Sequence, residues 1–405
     1  MTTHEWLRAG ALSLALVLAA ATTAVAAPAR HAVVVVIDGA RYSETLGDPL
    51  HQWCPRQALD LVPQGCVVSN FRNEGVTVTM PGTSAVMCGV WQPLVNDGSE
   101  PSHVPSLLES WRIATGAPAS DTRLIATKSK ILTLAQSDHP ASSAATASAT
   151  TLGANDLVAT ASAITALHTD RPALLVLQLG DTDVAGHSGS WTLYTASIRR
   201  ADSLVAALWQ AIRSDAALAD STALFVTNDH GRHLDASGGF TNHGDDCDGC
   251  RHIELFAIGA GLKTGWTSAS SWRQIDIAPT IGALLGFATP WTQGVVMTDL
   301  LTPAALAVEG TGPGRFHLGA PVPNPSRGAV AFTLDLAAES DARVEVFDLQ
   351  GRRVAGVFAG RLSAGAHRLA WNGRDAHGHA VRAGRYLLRA GDGRETTTLP
   401  IVRLR

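Results

Sequence analysis

Three stretches of this chain run an unbroken series of apolar, strand-forming residues straight into carboxylates and imidazoles. HAVVVVIDGARY (31–42) ends on Asp38, PALLVLQLGDTDVAGHSG (172–189) on Asp181, Asp183 and His187, and ALFVTNDHG (223–231) on Asp229 and His230. A strand with one wet face alternates apolar and polar residues. A continuous apolar run belongs to a strand covered on both faces, as in a parallel sheet packed between helices. Such sheets hold ligands beyond the carboxyl ends of their strands, which is where these charged residues fall.

The same texture extends from residue 31 to about 300. Strands are expected at 32–37, 122–127, 173–179, 222–228 and 253–258, alternating with helices near 83–89, 102–113, 156–168, 192–214 and 275–285. The fold class is therefore α/β, a mostly parallel sheet with helices on both faces. PASSAATASATTLGA (140–154) is small and polar and reads as a surface loop. After about residue 303 the chain turns rich in Pro and Gly, and then AVAFTLDL and ARVEVFDL alternate with period two between Gly-containing turns. That pattern predicts a small antiparallel β-sandwich. The division is 1–26, 27–303 for the α/β domain, 304–320 as linker and 321–405 for the all-β sandwich; 405 residues suffice for both cores.

The first segment carries Arg8, an uncharged stretch from Ala9 to Pro28, and Ala24-Val25-Ala26 as a small-x-small cleavage site. It reads as a secretory signal peptide, with a membrane anchor as the alternative. No membrane span is expected after its cleavage. Export permits disulfides. Of the five cysteines, Cys54 is expected to pair with Cys66 and Cys247 with Cys250, leaving Cys88 free. Cys247-x-x-Cys250 has the spacing of half a zinc site, but no second C-x-x-C completes it, so a local bridge is the expectation. A net charge of −4 gives no reason to expect a nucleic acid as partner.

Six residues collect at the strand ends: Asp38, Asp183 with His187, Asp229 with His230, and His243 in FTNHGDD. Carboxylate and imidazole suit zinc, and six ligands are too many for one tetrahedral ion but enough for two. Two ions roughly 4 Å apart form the clamp used in phosphoryl transfer. A nucleophile is then required, and VTVTMPGTSAVMCG (76–89) offers Thr79. Pro81 marks a helix start, so Thr79 is expected just ahead of the helix, near the positive end of its dipole. A hydroxyl there still needs a metal to become a nucleophile.

IDGAR, TMPGTSAVMCG, DxxGH, NDHG and NHG, in this order and spacing, resemble the alkaline phosphatase superfamily over about residues 31–300. The branch they are most similar to is the nucleotide pyrophosphatase/phosphodiesterase type with its phosphomonoesterase relatives, and QIDIAPTIGALLG (274–286) is similar to the family's last core helix. The resemblance implies one zinc held by Asp38, Thr79, Asp229 and His230, a second held by Asp183, His187 and His243, and Thr79 as a nucleophile that is transiently phosphorylated. The C-x-P-x-R motif of sulfatase relatives is missing. Thr83 stands where phosphodiesterase members usually have His, and Asn96 is the nearest match to their phosphate-binding Asn. In IATKSKILTL (125–134), Lys128 and Lys130 resemble a Lys-x-Arg that contacts phosphoryl oxygens in phosphomonoesterase members. The chain has only three lysines, and two cations would offset the extra charge of a monoester.

The expected activity is that of an exported two-metal phosphoric ester hydrolase, with monoesters slightly favoured. A phosphodiesterase or nucleotide pyrophosphatase is the alternative. A sulfate ester or phosphonate hydrolase, or an inactive surface-binding protein, stands further off. Asp181 is a second-layer or turn residue, and Arg41 a lid or a salt-bridge residue. His233 and His252 read as structural. Asp245, Asp246 and Asp248 form a solvated acidic loop or a calcium site. PNPSRG, VFDLQGRRV and WNGRDAHGHAVRAGRY resemble the Ig-like domain of flagellar hook-capping proteins, which implies a sorting or surface-attachment module.

Overall fold

The computed structural model describes residues 29–306 and 316–404, apart from 320, 337, 338, 349, 364 and 392–395. The segment read as a signal peptide, and part of the segment read as a linker, lie outside the described residues. Among the described residues no helix is long and apolar enough to cross a membrane.

Eight strands form the sheet of the first domain: β1 (His31–Ile37), β2 (Cys66–Arg72), β3 (Thr122–Ala126), β4 (Ala149–Leu152), β5 (Leu174–Leu179), β6 (Thr222–Thr227), β7 (His252–Gly259) and β8 (Trp266–Arg273). Their order is β4-β3-β5-β1-β6-β7-β2-β8. Only β7 runs against the rest, pairing antiparallel with β6 and β2. Helices α1 (Thr79–Cys88), α2 (Leu107–Thr115), α3 (Asp156–Thr169), α4 (Asp181–His187), α5 (Trp191–Ser214), α6 (Asp248–Arg251) and α7 (Ile277–Leu285) connect or cover the strands.

The valine run of β1 is explained by its neighbours. Val34 and Val36 enter one core with residues of α1, α2 and α7, whereas Val33, Val35 and Ile37 enter the opposite core with residues of α3 and α5. Every one of these side chains is buried, each worth about 1.5–3 kcal/mol by transfer. β1 is central, between β5 and β6, so Asp38, Asp183 and Asp229 emerge from three adjacent strands.

All five strands expected in this domain are present; β2, β4 and β8 were not anticipated. β4 lies inside the stretch read as a surface loop, and as a four-residue edge strand with alternate residues exposed it has too little apolar surface to stand out. β8, TSASS in its middle, is the other edge and equally polar. Both expected disulfides are absent: all five cysteines are free thiols. Cys66 projects from β2 toward the neighbouring backbone, its Sγ donating to Ala257 O at 3.4 Å.

The second region is all-β and antiparallel. Strands β9 (Phe316–Leu318), β10 (Val330–Leu336), β11 (Ser340–Phe347), β12 (Arg353–Leu362), β13 (Gly365–Trp371), β14 (Gly384–Gly391) and β15 (Thr396–Arg403) make a three-stranded sheet, β13-β10-β9, and a four-stranded one, β12-β11-β14-β15. Val344, Leu388, Phe332 and Trp371 are among the residues that fill the core. The first of these strands precedes residue 321, inside the span read as linker.

Candidate active site

Asp38 follows β1, Asp229 and His230 follow β6, and Asp183 sits in the first turn of the short helix after β5. Their side chains converge. His230 Nε2 lies 3.4 Å from Asp38 Oδ1 and 3.6 Å from Asp229 Oδ2. Asp183 Oδ1 lies 3.3 Å from His187 Nε2 and 3.5 Å from His243 Nε2, and the two imidazole Nε2 atoms are 3.1 Å apart. The His230 and His243 rings stack at 3.9 Å. All six residues singled out as ligands are therefore gathered, in two overlapping groups, Asp38–Asp229–His230 and Asp183–His230–His243, with His187 beside the second.

The groups fit cations by what they leave unmet. Asp38 Oδ1, Asp229 Oδ2 and His230 Nε2 are buried and have no hydrogen-bond partner, although an unpaired buried polar atom costs about 1–3 kcal/mol. The other atoms of these residues are held from behind. Gln178 Nε2 donates to Asp38 Oδ2 at 2.7 Å, and the Gly39 and His230 amides donate to Asp229 Oδ1 at 3.1 and 2.8 Å. His230 Nδ1 lies 2.9 Å from Gly231 O and His243 Nδ1 3.0 Å from Thr77 O, so each Nε2 faces the cluster. Backing ligands in this way fixes tautomer and orientation.

The electrostatics follow from crowding. Burial and the charge of Asp38 push Asp229 up to about 7. Burial also opposes ionisation of Asp38, but Lys128 and His230 overcome it and hold that carboxyl far below its usual range. His243 is pushed down to about 3 by burial and by the charge on His230. Its ring is thus neutral near pH 7 and its lone pair free to ligate.

Lys128 and Lys130 separate. Lys128 is drawn into the cluster, its Nζ 2.8 Å from Asp38 Oδ2 and 2.6 Å from Asp183 Oδ2. It bridges the two carboxylates and is not displayed at a rim. Lys130 reaches the start of α1 instead: its Nζ donates to Asn96 Oδ1 at 3.0 Å, and that same oxygen accepts from the Met80 amide at 2.9 Å. Thr79 is buried and is the first residue of α1, not a residue ahead of it, because the turn closes one step earlier than Pro81 suggests: Gly82 N–H already donates to Val78 O. Gly82 lets this turn sit against Asp229, since a Cβ there would lie 2.3 Å from Asp229 O.

Arg232 was missed by sequence reasoning. It is fully buried, and its guanidinium donates to Gly39 O, Phe240 O, Thr241 O and both the carbonyl and carboxylate of Asp183. Its position directly after DHG was the available signal. Gln178 and Asn73, which donates to Asp229 O at 2.8 Å, were missed because nothing local marks them. Arg41 does not close over the site; it forms the salt bridge, with Glu44 and Asp235, but as a buried residue and not at the surface. At the start of α4 the Asp181 carboxylate accepts from the Asp156 amide and the Asp181 amide donates to the Asp156 carboxylate, a turn role, and His252 stacks on Tyr42 at 3.9 Å. Asp246 and Asp248 pair with Arg251 and Arg72.

Known proteins extend this picture. Residues 76–233 match the family described as type I phosphodiesterase / nucleotide pyrophosphatase, and residues 323–393 match the FlgD Ig-like domain. Among curated proteins, the 2,3-bisphosphoglycerate-independent phosphoglycerate mutase of Legionella pneumophila is 24% identical over 127 residues, 31% of this chain and 23% of the mutase. The chain thus spans about a quarter of the length of the curated relatives it matches. A 2-O GAG sulfatase superposes with a TM-score of 0.53 at 11% identity, covering 85% of each chain. Murine ectonucleotide pyrophosphatase/phosphodiesterase 5 gives 0.51 at 16% identity, covering 67% of this chain and 100% of that one. The phosphonate monoester hydrolase of Agrobacterium radiobacter gives 0.50 at 14%, covering 86% and 89%. These likenesses show a fold shared with those proteins. The chain accordingly joins an α/β domain, whose residues 76–233 match the type I phosphodiesterase / nucleotide pyrophosphatase family, to a β-sandwich whose residues 323–393 match the FlgD Ig-like domain.

Proposed function

We propose that this chain is an exported, metal-dependent phosphoric ester hydrolase that works through Thr79. The observation that carries the reading is the set of buried, partnerless ligand atoms on Asp38, Asp229 and His230, beside the helix that Thr79 begins. Asp38, Thr79, Asp229 and His230 would hold one divalent ion and Asp183, His187 and His243 another, with zinc suited to this donor set. Bound there, the ions supply Lewis-acid activation of an oxygen nucleophile and charge for the leaving oxygen.

The chain's own residues do the rest. Thr79 Oγ forms the bond to phosphorus at the positive end of α1 while the ester oxygen leaves; water then displaces the threonine oxygen and restores it. Asn96 spends Oδ1 on the Met80 amide and Lys130, which leaves its Nδ2 to donate to a phosphoryl oxygen. Lys130 adds one cation next to it. In murine phosphodiesterase 5, the form solved with AMP was inactivated by a threonine-to-alanine substitution, a precedent for this role of Thr79.

The expected monoester preference is revised. It places both lysines on phosphoryl oxygens, whereas Lys130 stands beside Asn96 and Lys128 Nζ lies deeper, against the carboxylates of Asp38 and Asp183 assigned to the ions. Lys130 alone better matches the single negative charge of a diester, in keeping with the family of residues 76–233. Export rests on residues 1–26. The test is a panel of a bis-aryl phosphate, the matching aryl phosphate and the matching aryl sulfate, on zinc-loaded mature protein. Diester turnover leading the panel is expected. Monoester turnover ahead of diester would restore Lys128 to substrate binding, and turnover of the sulfate alone would refute the phosphoric ester reading.

A further inference from the structure

The loop that delivers His243 goes on through a second, separate group of ligand-type side chains. His233, Asp245, Cys247 and Cys250 each present a donor atom, and the four atoms lie within 4.8 Å of one another. We infer that His233, Asp245, Cys247 and Cys250 form a zinc site of their own, distinct from the catalytic cluster, which staples the segment after β6 to the loop before β7.

The donor set is chemically selective. Two thiolates, an imidazole and a carboxylate are the soft and borderline ligands of four-coordinate zinc, whereas calcium and magnesium take oxygen alone. A tetrahedral zinc with bonds of about 2.0–2.3 Å spaces its ligands about 3.3–3.8 Å apart, so closing the group draws its widest pairs in by at most about an ångström. The second half of the site was looked for as another C-x-x-C. It comes instead from His233 and Asp245, one on each of the two segments.

The surroundings hold these side chains in place before any ion arrives. Asp245 Oδ1 accepts from the Cys247 amide at 3.0 Å, which turns Oδ2 toward His233 Nδ1 at 3.3 Å. His233 Nδ1 also lies 2.9 Å from Ser237 O. The Cys250 and Arg251 amides both donate to Cys247 O at 3.1 Å, forming the tight turn that brings the two sulfurs to one side. Cys250 is buried and Cys247 half-buried. The two segments touch backbone to backbone: Gly231 N–H donates to Cys250 O at 2.9 Å, and a Cβ on Gly249 would lie 2.4 Å from Arg232 O.

Binding releases the two thiol protons. Two thiolates and one carboxylate against a divalent ion leave one net negative charge, with Arg251 and Arg72 close by on Asp246 and Asp248. The staple would act on catalysis at one remove. Arg232, which grips Asp183, and His243 both lie on the tethered segments, and Thr77 Oγ1 donates to Asp245 O at 2.8 Å two residues before Thr79.

Cobalt(II) substitution of the whole mature protein tests this directly, because the catalytic cluster has no sulfur ligand. The expected result is a near-ultraviolet sulfur-to-cobalt charge-transfer band in the wild type and in Asp38→Asn. Cys247→Ser and Cys250→Ser should each lose it, along with one equivalent of bound zinc by elemental analysis. His233→Asn, which keeps both sulfurs, should weaken zinc retention against a chelator at least tenfold. A wild-type protein with no such band, or one whose peptide map shows Cys247 and Cys250 joined as a disulfide, would overturn the proposal. Since the readout ignores ester turnover, failure here is distinct from failure of the hydrolase reading.

Discussion

Asp229 in the α/β domain and Asp348 in the sandwich both stand just past the end of a strand, and their surroundings are opposite. Asp348 accepts from the amides of Gln350 and Arg352 and from Arg352 Nε at 3.0, 2.9 and 2.8 Å, closing the turn after β11. What desolvation it meets is outweighed by those donors, which hold it below the usual carboxylate range. Asp229 is buried, is pushed up to about 7 by burial and Asp38, and keeps Oδ2 without a partner. Asp348 is fully accounted for by the fold around it. Asp229 is held in place by the fold and left incomplete by it. A strand-end carboxylate is thus informative not for its position but for what its second oxygen meets.

That contrast can be broken experimentally. The largest expected effect on stability comes from Arg232, the buried counter-charge of Asp183. Arg232→Ala in chelator-treated protein should cost about 3–5 kcal/mol in urea denaturation, the loss typical of stranding one partner of a buried ion pair. A loss below about 1 kcal/mol would mean that Lys128 alone balances the cluster.

Glu254, buried on β7 within the same sheet, gives the next effect and carries a sign. Burial, reinforced by Asp202, pushes it up to about 7. A carboxyl whose folded pKa lies above its unfolded value of about 4.3 stabilises fully only below that value, and the contribution is lost as pH rises through about 7. Glu254→Gln should therefore match the wild type near pH 4 and exceed it above pH 7 by up to about 3 kcal/mol. Equal stabilities at pH 8 would contradict the buried-acid assignment. The smallest effect belongs to the sandwich: Arg352→Ala should leave the melting temperature unchanged within error, and a measurable drop would make its strand-end pair structural.

The sequence made the centre of the sheet legible and left its edges obscure, for a physical reason. β1, β5 and β6 are buried on both faces and read as continuous apolar runs, while β4 and β8 expose polar residues at the two edges and look like loops. Asp38, Asp183, Asp229 and His230 were legible because apolar strands deliver them abruptly, and His187 and His243 because each stands in a short Gly-His or His-Gly motif. Gln178, Asn73 and Arg232 were not, since each acts across a tertiary contact: Gln178 and Asp38 are 140 residues apart, and Asn73 and Asp229 are 156. The lysine pair shows the limit of motif reasoning. Two residues apart in sequence, Lys128 and Lys130 face different partners, because Lys128 precedes a tight turn, Ser129–Ala135, that carries Lys130 toward Asn96. The cysteines show the same limit, as the partners of Cys247 and Cys250 follow no repeat of the C-x-x-C spacing.

The most direct test of the central claim is to quench zinc-loaded protein in acid during turnover of a phosphate diester and to map the trapped phosphate by peptide mass spectrometry. The account predicts phosphate on Thr79 of the peptide carrying TMPGTSAVMCG, absent in Thr79→Ala, whose turnover falls by at least about 10³-fold. Phosphate on another residue, or a Thr79→Ala protein that keeps wild-type turnover, would contradict it.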